Sequence, residues 1–146
     1  LIEGAVGGIV ATDCKIGRSR YWAANATVPV NEISFRIVMT NVSSKPVTLS
    51  GDNFATTLDG TPIPPFNFSA RDVGDADIWR TYDSLTIRPG EERSVALAYE
   101  ISQPTYDSWY RSSRTVAVSF TCGNQRVTYT KNSRSDEITV SDIETL

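Results

Sequence analysis

The sequence contains no histidine and only two cysteines among its 146 residues. Without histidine there is no imidazole base to activate a serine or cysteine nucleophile, and no G-x-S-x-G sequence marks a nucleophile. Two cysteines alone cannot supply the four ligands of a structural zinc site. The 17 acidic residues would always allow some carboxylate pair to be proposed for glycoside hydrolysis, so they give no signal. We therefore predict that the protein is not an enzyme and has no cofactor.

Clusters of positive charge and long apolar runs are also missing. The formal net charge is −3, and the basic residues are scattered singly, which argues against binding to nucleic acid or an anionic membrane. The longest apolar-leaning run, residues 5–12, is far shorter than the about 20 residues of a membrane span. The chain begins with Leu1 rather than methionine. Either the sequence starts at an arbitrary boundary, or the chain is processed and was therefore exported.

The two cysteines, Cys14 and Cys122, lie in strand-like sequence near opposite ends of the chain. We predict a disulfide between them rather than two buried thiols. Closing a loop of more than about 100 residues would stabilise the fold by about 4 to 5 kcal/mol on the chain-entropy model. Such bonds persist in oxidising compartments, so we expect a secreted or cell-surface protein.

What the sequence does contain is alternation of apolar and polar residues. In residues 84–101, two alternating runs flank Pro89-Gly90, which predicts a strand, a tight turn and a second strand. Residues 32–41 alternate in the same way. No stretch has sustained helical periodicity, residues 61–83 are predicted to be a long connection between sheets, and residues 102–114 a polar loop. We predict an all-β, immunoglobulin-like antiparallel sandwich of about seven to nine strands, with 84–101 and 32–41 at its centre.

Part of this order is familiar. The segment FRIVMTNVSSKPVTLSGDNF, an Asp-Gly hairpin signal and SLTIRPGEERSVALAYEI follow one another between residues 35 and 101. The chain here resembles the telokin-like immunoglobulin-fold domains of prokaryotic surface proteins and lipoproteins, over about half its length. The residues that carry the resemblance are Asn41, Ser44, Lys45, Pro46, Asp59, Gly60, Pro89, Gly90 and Glu91. The resemblance implies the fold and an extracellular setting, and it implies no catalytic residues; the cysteines and residues 62–83 depart from the pattern.

Residues 1–12 (LIEGAVGGIVAT) form an apolar arm ahead of the domain at residues 13–146. The arm is too rich in glycine for a stable helix, so it is extended. It is either the first strand of the domain's own sheet or a donor strand for a neighbouring subunit. We favour a structural subunit of an extracellular filament or pilus, a homopolymer built by strand exchange. The apolar residues of the arm are Leu1, Ile2, Val6, Ile9 and Val10.

The alternative function is a cell-surface module that binds a glycan or a protein through aromatic loops. Its candidate ligand loop contains Tyr106, Trp109 and Tyr110. Trp22 and Trp79 also lie in or beside loops. These aromatic side chains could instead cover the ends of the sandwich.

Two further sets of residues are candidates for modification or metal binding. Three N-x-[ST] sequences predict glycosylation at Asn25, Asn41 and Asn67. Asp72, Asp75 and Asp77 lie on a glycine-containing segment and could offer oxygen ligands to Ca²⁺. A solvated acidic loop is the better interpretation of the aspartates, and we expect no metal.

Overall fold

A computed structural model describes residues 4–22, 24–25, 27, 29–65, 67–72, 79–111 and 114–146, with the backbone alone for residues 18–21 and 110. Its strands are β1 (Ala5–Val6), β2 (Ile9–Tyr21), β3 (Val30–Asn41), β4 (Val47–Leu49), β5 (Phe54–Leu58), β6 (Thr61–Ile63), β7 (Asn67–Asp72), β8 (Arg80–Thr81), β9 (Leu85–Ile87), β10 (Glu92–Ile101), β11 (Thr115–Cys122), β12 (Gln125–Asn132), β13 (Thr139–Val140) and β14 (Glu144–Thr145). One α-helix, α1 (Gln103–Arg111), and a 3-10 turn (Gly51–Asn53) complete the described elements.

The strands form two facing antiparallel sheets. The front sheet has the order β1-β2-β3-β10-β7-β8, and the back sheet has the order β13-β12-β11-β5-β6 with β14 also on β12. A small third sheet pairs β4 with β9. Aromatic rings join the two large sheets, since Phe35 of β3 lies 5.6 Å from Tyr129 and 6.1 Å from Phe54 between ring centroids. The predicted all-β antiparallel sandwich is confirmed.

Strands β3 and β10 form the centre of the front sheet, as the alternation predicts. Their register pairs Leu97 with Phe35 and Val95 with Ile37. All four side chains are at most 1% exposed. Successive side chains of a strand point to opposite faces, so the residues between them are turned away from the core.

The predicted hairpin at residues 84–101 is wrong. β9 pairs with β4 in the small sheet, whereas β10 pairs with β3 and β7 in the front sheet. The turn itself has the expected glycine, because Gly90 has a φ of 78°. The Gly90 N–H donates to the Asn41 carbonyl at 2.8 Å, which fixes the turn at the end of β3. The chain therefore crosses between sheets here instead of folding back on itself.

The connection from residue 61 to residue 83 contains more structure than the sequence predicts. β6 pairs with β5 in the back sheet, and β7 pairs with β10 in the front sheet. The crossing between sheets is confirmed, while strand β7 was missed next to the proline cluster. The loop predicted at residues 102–114 is also wrong, because helix α1 occupies most of it.

The described part of the N-terminal arm lies in the chain's own front sheet. β1 and β2 form a hairpin in which Val6 pairs with Ile9, and these two side chains are 2% and 1% exposed. At the turn, Gly7 has a φ of +56°, and a Cβ there would lie 2.5 Å from the Cys122 sulfur. Val10 is half-buried and pairs with Thr40, while Leu1 and Ile2 lie outside the described residues.

The predicted disulfide is not formed, and both cysteines are free thiols. Cys14 lines a cavity together with Lys131, which lies beyond Tyr129 on β12. Cys122 instead pairs with Gln125 and lies at the Gly7 carbonyl, 3.7 Å from its sulfur. The stretch of β12 from Gln125 to Tyr129 spans about 13 Å. A disulfide requires Cα atoms within about 7 Å, so the two thiols cannot reach each other.

Candidate ligand-binding surface

The outer face of the front sheet has a floor of small side chains between longer ones. Register places residues of β2, β3, β10 and β7 side by side in rows across the sheet. One row consists of Lys15, Arg36, Ala96 and Ser69, and the next consists of Gly17, Ser34, Ala98 and Asn67. Apart from Lys15 and Arg36, these positions carry only glycine, alanine, serine or asparagine, so the face is shallow beside the two basic side chains.

Trp79 stands at one side of this floor and is held by two arginines. It immediately precedes β8 and is half-buried. The guanidinium carbon of Arg71 lies 4.9 Å from its ring centroid, and that of Arg36 lies 5.6 Å away. Such cation–π contacts are worth about 0.5 to 1 kcal/mol at exposed positions. Packing on a flat ring also limits the orientations of each guanidinium, which pre-organises it for a ligand. We call Lys15, Arg36, Arg71, Trp79 and the floor beside them the arginine–tryptophan surface.

Three cavities adjoin on this surface, and Arg36 lines all of them. The cavity of about 240 Å³ lies over the floor and is lined by Ser34, Ser69 and Trp79, among others. The cavity of about 280 Å³ lies on the side of Arg71 and Asp13. The largest, about 410 Å³, extends past the edge of β2 toward the back sheet. Together they offer hydroxyl, amide and guanidinium groups around the half-buried Trp79 ring.

Positive charge is concentrated at the centre of the surface. Lys15 and Arg36 are directly opposite each other in the register of β2 and β3, and both are exposed. Among the residues that the structure describes, no ion pair includes either of them. The hydroxyl, amide, ammonium and guanidinium groups of this surface are suited to binding by hydrogen bonds and charge.

The aromatic residues predicted to form a ligand loop are instead part of the core. Trp109 is 1% exposed and Tyr106 is 9% exposed, on the side of helix α1 that covers one end of the sandwich. The ligand-loop prediction is therefore wrong for both, and the alternative role of covering an end is the observed one. The side chain of Tyr110 lies outside the described residues.

The three predicted glycosylation sites lie in different environments. Asn25 is exposed in a turn, with a φ of 62°. Asn67 is half-buried on the outer face of β7, beside the arginine–tryptophan surface. Asn41 is 0% exposed, so the prediction of a glycan there is wrong for the folded chain.

Asn41 has a structural role that explains the motif residues around it. Its amide nitrogen donates to the Lys45 and Ile87 carbonyls, each at 2.8 Å. Its amide oxygen accepts from the Ser43 N–H at 2.9 Å and the Ser43 hydroxyl at 2.7 Å. The N-x-S-x-K-P-V and P-G-E sequences are thus joined at one buried asparagine. The serine that contacts it is Ser43 rather than Ser44.

Of the three aspartates that could offer ligands to Ca²⁺, the structure describes Asp72 alone. Asp72 pairs with Arg93 at 2.7 Å between carboxylate oxygen and guanidinium nitrogen. Asp75 and Asp77 lie outside the described residues. In the part of the chain that is described, no group of three His, Cys, Asp or Glu residues is placed to hold a metal ion.

Sequence reasoning missed the arginine–tryptophan surface, although part of its signal was present. The alternation in residues 32–41 and 92–101 marks Ser34, Arg36, Ala96 and Ala98 as outward-facing. Trp79 was noted only as one of several aromatic residues near loops. What could not be read was the register, which brings Lys15 and Arg36 together, and the packing of Trp79 over strands distant in sequence.

Comparisons with known proteins show the class of fold. No family model matches the sequence, and no curated protein matches it. The crystal structure of an uncharacterized β-sandwich protein from Clostridium difficile 630 is similar, with a TM-score of 0.50 and 14% identity over 86% of this chain and 84% of that one. A functionally unknown protein from Listeria monocytogenes EGD-e has a TM-score of 0.42 at 12% identity, over 79% of this chain and 77% of its own.

At this level of identity the likeness shows the fold alone: the chain is an all-β sandwich. In the described part of the chain, α1 is too short to span a bilayer, and no candidate spanning helix is found.

Proposed function

We propose that the protein is a non-catalytic cell-surface module that binds a glycan through the arginine–tryptophan surface. The observation that carries the proposal is the position of Arg36, exposed where three cavities meet and packed on the Trp79 ring. Sugar rings present both apolar C–H faces and hydroxyl groups. Trp79 offers an aromatic surface for the former, and Ser34, Ser69 and Asn67 offer hydrogen-bonding groups for the latter.

The shape of the surface supports a glycan over a protein partner. Protein interfaces bury roughly 800 Å² on each side, and their central anchors are aromatic or arginine side chains in fully desolvated pockets. Here the central Arg36 is exposed, and its neighbours Ala96 and Ser69 across the floor are small. Exposed large hydrophobic side chains in the described residues are Trp22, Val140 and Leu146, none of which lines these cavities. A chain of sugar units fits such a floor better than a second protein does.

The test is retention on a panel of immobilised glycans with two matched tryptophan variants. We expect Trp79→Ala to abolish retention, because it removes the aromatic face and releases both guanidiniums. Trp22 is 64% exposed and lies outside the surface, so Trp22→Ala should leave retention unchanged. Circular dichroism and thermal unfolding check that both variants fold. Equal retention of the two variants would contradict the proposal.

The extracellular setting and the telokin-like relationship are part of the same proposal. Asn25 supports it, since an exposed turn asparagine in an N-x-[ST] sequence can accept a glycan without disturbing the fold. The intact mass of material from the native source tests this point. We expect added mass that Asn25→Gln reduces, and a mass equal to that of the polypeptide would contradict glycosylation.

A filament subunit remains the second candidate, and the open edge of β2 is the observation in its favour. β1 covers only Ile9 and Val10 of this strand, and the later residues of β2 have no second strand partner among the described residues. An edge with free N–H and C=O groups can accept a strand from a neighbour. The arm packs in its own sheet, so exchange would make the Val6 and Ile9 contacts between chains instead.

The strand register shows which backbone N–H and C=O groups at the β2 edge point away from β3 and could bond to another strand. The Asn41 N–H and C=O bond to Glu91 and Gly90, so odd-numbered residues of β3 face β10 and even-numbered ones face β2. Since Gly17 pairs with Ser34 and Ser19 pairs with Glu32, the backbone groups of Arg18 point away from β3. Arg18→Pro therefore removes an outward N–H, and Arg18→Ala keeps it.

The filament candidate predicts concentration-dependent assembly in analytical ultracentrifugation. Deletion of residues 1–12 should abolish assembly that depends on strand exchange. Arg18→Pro should weaken it more than Arg18→Ala does, because the two variants lose the same charge and differ at the backbone N–H. A full-length chain that stays monomeric at high concentration would rule the candidate out.

A further inference from the structure

We infer that the glycan bound at the arginine–tryptophan surface is acidic, and that its anionic groups bind between Lys15 and Arg36. This inference rests on the proposed function and adds the chemical class of the ligand. It starts from the register, which puts two positive side chains directly opposite each other on one face. Like charges in that position destabilise a sheet. An anion bound between the two side chains would attract both of them and offset their mutual repulsion.

The balance of charge in two of the cavities agrees with an anionic ligand. Counted over the described residues, the cavity of about 280 Å³ is lined by Lys15, Arg36 and Arg71 against Asp13, three positive charges less one negative, an excess of two. The cavity of about 410 Å³ is lined by Lys15, Arg36 and Lys131 against Asp136, again an excess of two. The whole chain has a formal net charge of −3. Among the described residues, positive charge therefore exceeds negative charge along these two cavities, although the chain as a whole is negative.

The third cavity suits the uncharged parts of the ligand. The cavity of about 240 Å³ has Glu32 and Arg36 as its charged lining, one of each sign, together with serine, asparagine and alanine side chains. It suits the uncharged hydroxyl groups of a sugar. An acidic glycan can place neutral parts here and its anionic groups on the other side of Arg36.

Arg36 is the residue best placed to bind the anion. Its guanidinium is exposed, lies against the Trp79 ring and lines all three cavities. A planar guanidinium forms two parallel hydrogen bonds with a carboxylate or sulfate, and the ring holds it in a limited set of orientations. Lys15 adds a second charge without a fixed geometry, so we expect it to contribute less.

Isothermal titration calorimetry with three hexasaccharides of matched length tests the inference. The probes are an oligogalacturonate, a heparin-derived sulfated oligosaccharide and a neutral cello-oligosaccharide. We expect at least one acidic probe to bind more tightly than the neutral probe and to weaken as salt rises. Arg36→Ala should weaken the acidic probe by about ten- to a hundredfold, and Lys15→Ala should weaken it less. Arg88→Ala, at an exposed arginine in the β9–β10 turn, is the matched control and should have no effect.

A second measurement does not depend on any ligand. Replacing Lys15 by glutamine removes one of the two opposed charges, so Lys15→Gln should raise the thermal midpoint of the free protein slightly, more so at low salt. An unchanged or lower midpoint at low salt would contradict the repulsion on which the inference depends.

The outcomes separate the inference from the proposed function. Acidic binding that requires Arg36 supports both, and binding of the oligogalacturonate would show that carboxylate groups suffice without sulfate. Equal binding of the neutral probe, lost in Trp79→Ala but kept in Arg36→Ala, would overturn the inference and leave the glycan-binding proposal standing. Failure of all three probes, and of the wider panel, would overturn both.

Discussion

Replacement of Asn41 by alanine tests how the fold is joined at its centre. The side chain is 0% exposed and links the β3–β4 turn to the end of β9. Alanine removes all four of its hydrogen bonds. The Ile87 carbonyl then loses this partner in a buried position, whereas the Lys45 carbonyl can accept from the Ser43 hydroxyl, 2.9 Å away, which no longer has the Asn41 amide oxygen to donate to.

The magnitude follows from these partners. A typical intramolecular hydrogen bond contributes about 1 kcal/mol, and a buried group left without a partner costs about 1 to 3 kcal/mol. Three of the four bonds have one end near solvent, where water can replace part of the loss. We therefore expect Asn41→Ala to lower the free energy of unfolding by about 3 to 4 kcal/mol.

Urea unfolding followed by tryptophan fluorescence measures this change. Ser44→Ala is the matched control, because Ser44 lies in the same turn but is exposed. It should change the free energy of unfolding by less than about 0.5 kcal/mol. A loss below about 1 kcal/mol for Asn41→Ala, at an unchanged urea dependence, would refute the role assigned to this asparagine.

The remaining predictions concern the arm, the helix and the thiols. Gly7→Ala should destabilise the protein far more than Gly4→Ala. Both glycines have positive φ, but only at Gly7 would the new Cβ lie 2.5 Å from the Cys122 sulfur. Similar urea midpoints for the two variants would mean that the arm does not pack against Cys122. Trp109→Ala should cost about 3 to 5 kcal/mol in urea unfolding, and a folded variant of wild-type stability would be inconsistent with a core position. Ellman's reagent should detect both Cys14 and Cys122 after unfolding without reductant, and it should react more slowly with the native protein, in which Cys122 is buried and Cys14 half-buried. Absence of thiols after unfolding would restore the disulfide. Burial raises the pKa of Cys14 from 9.0 to about 12. The stability that the neutral thiol contributes is therefore complete below pH 9 and is lost as pH rises toward 12. Cys14→Ala should flatten the fall in unfolding free energy over that range, and an unchanged pH profile would argue against a buried thiol.

Local pattern in the sequence is sufficient for the strands that form the core. The alternation around Phe35 and Leu97 predicts two buried strands, and these pair with each other at the centre of the front sheet. Asp59-Gly60 predicts the hairpin between β5 and β6, where both residues have positive φ. These features depend on side-chain period and turn chemistry, which are properties of a few neighbouring residues.

Other sequence patterns indicated the right local feature but not where the fold would place it. Pro89-Gly90 does form a turn, but the strands on either side join different sheets. Asn41 has the sequence of a glycosylation site and is fully buried. Trp109 lies in a polar segment that forms helix α1 and still turns inward. In each case the outcome was set by residues distant in sequence, which a local pattern does not contain.

The sequence by itself determined that this chain is built from antiparallel strands around an aromatic and aliphatic core. Only the tertiary structure decided which residues share a surface. Strand register placed Lys15 opposite Arg36, and the crossing of the chain through β7 and β8 brought Trp79 over both arginines. The register of β11 and β12 pairs Cys122 with Gln125, whereas Cys14 lines a cavity with Lys131, farther along β12. The physical reason is that side-chain period acts over two residues, whereas register and sheet assignment depend on the packing of the whole core.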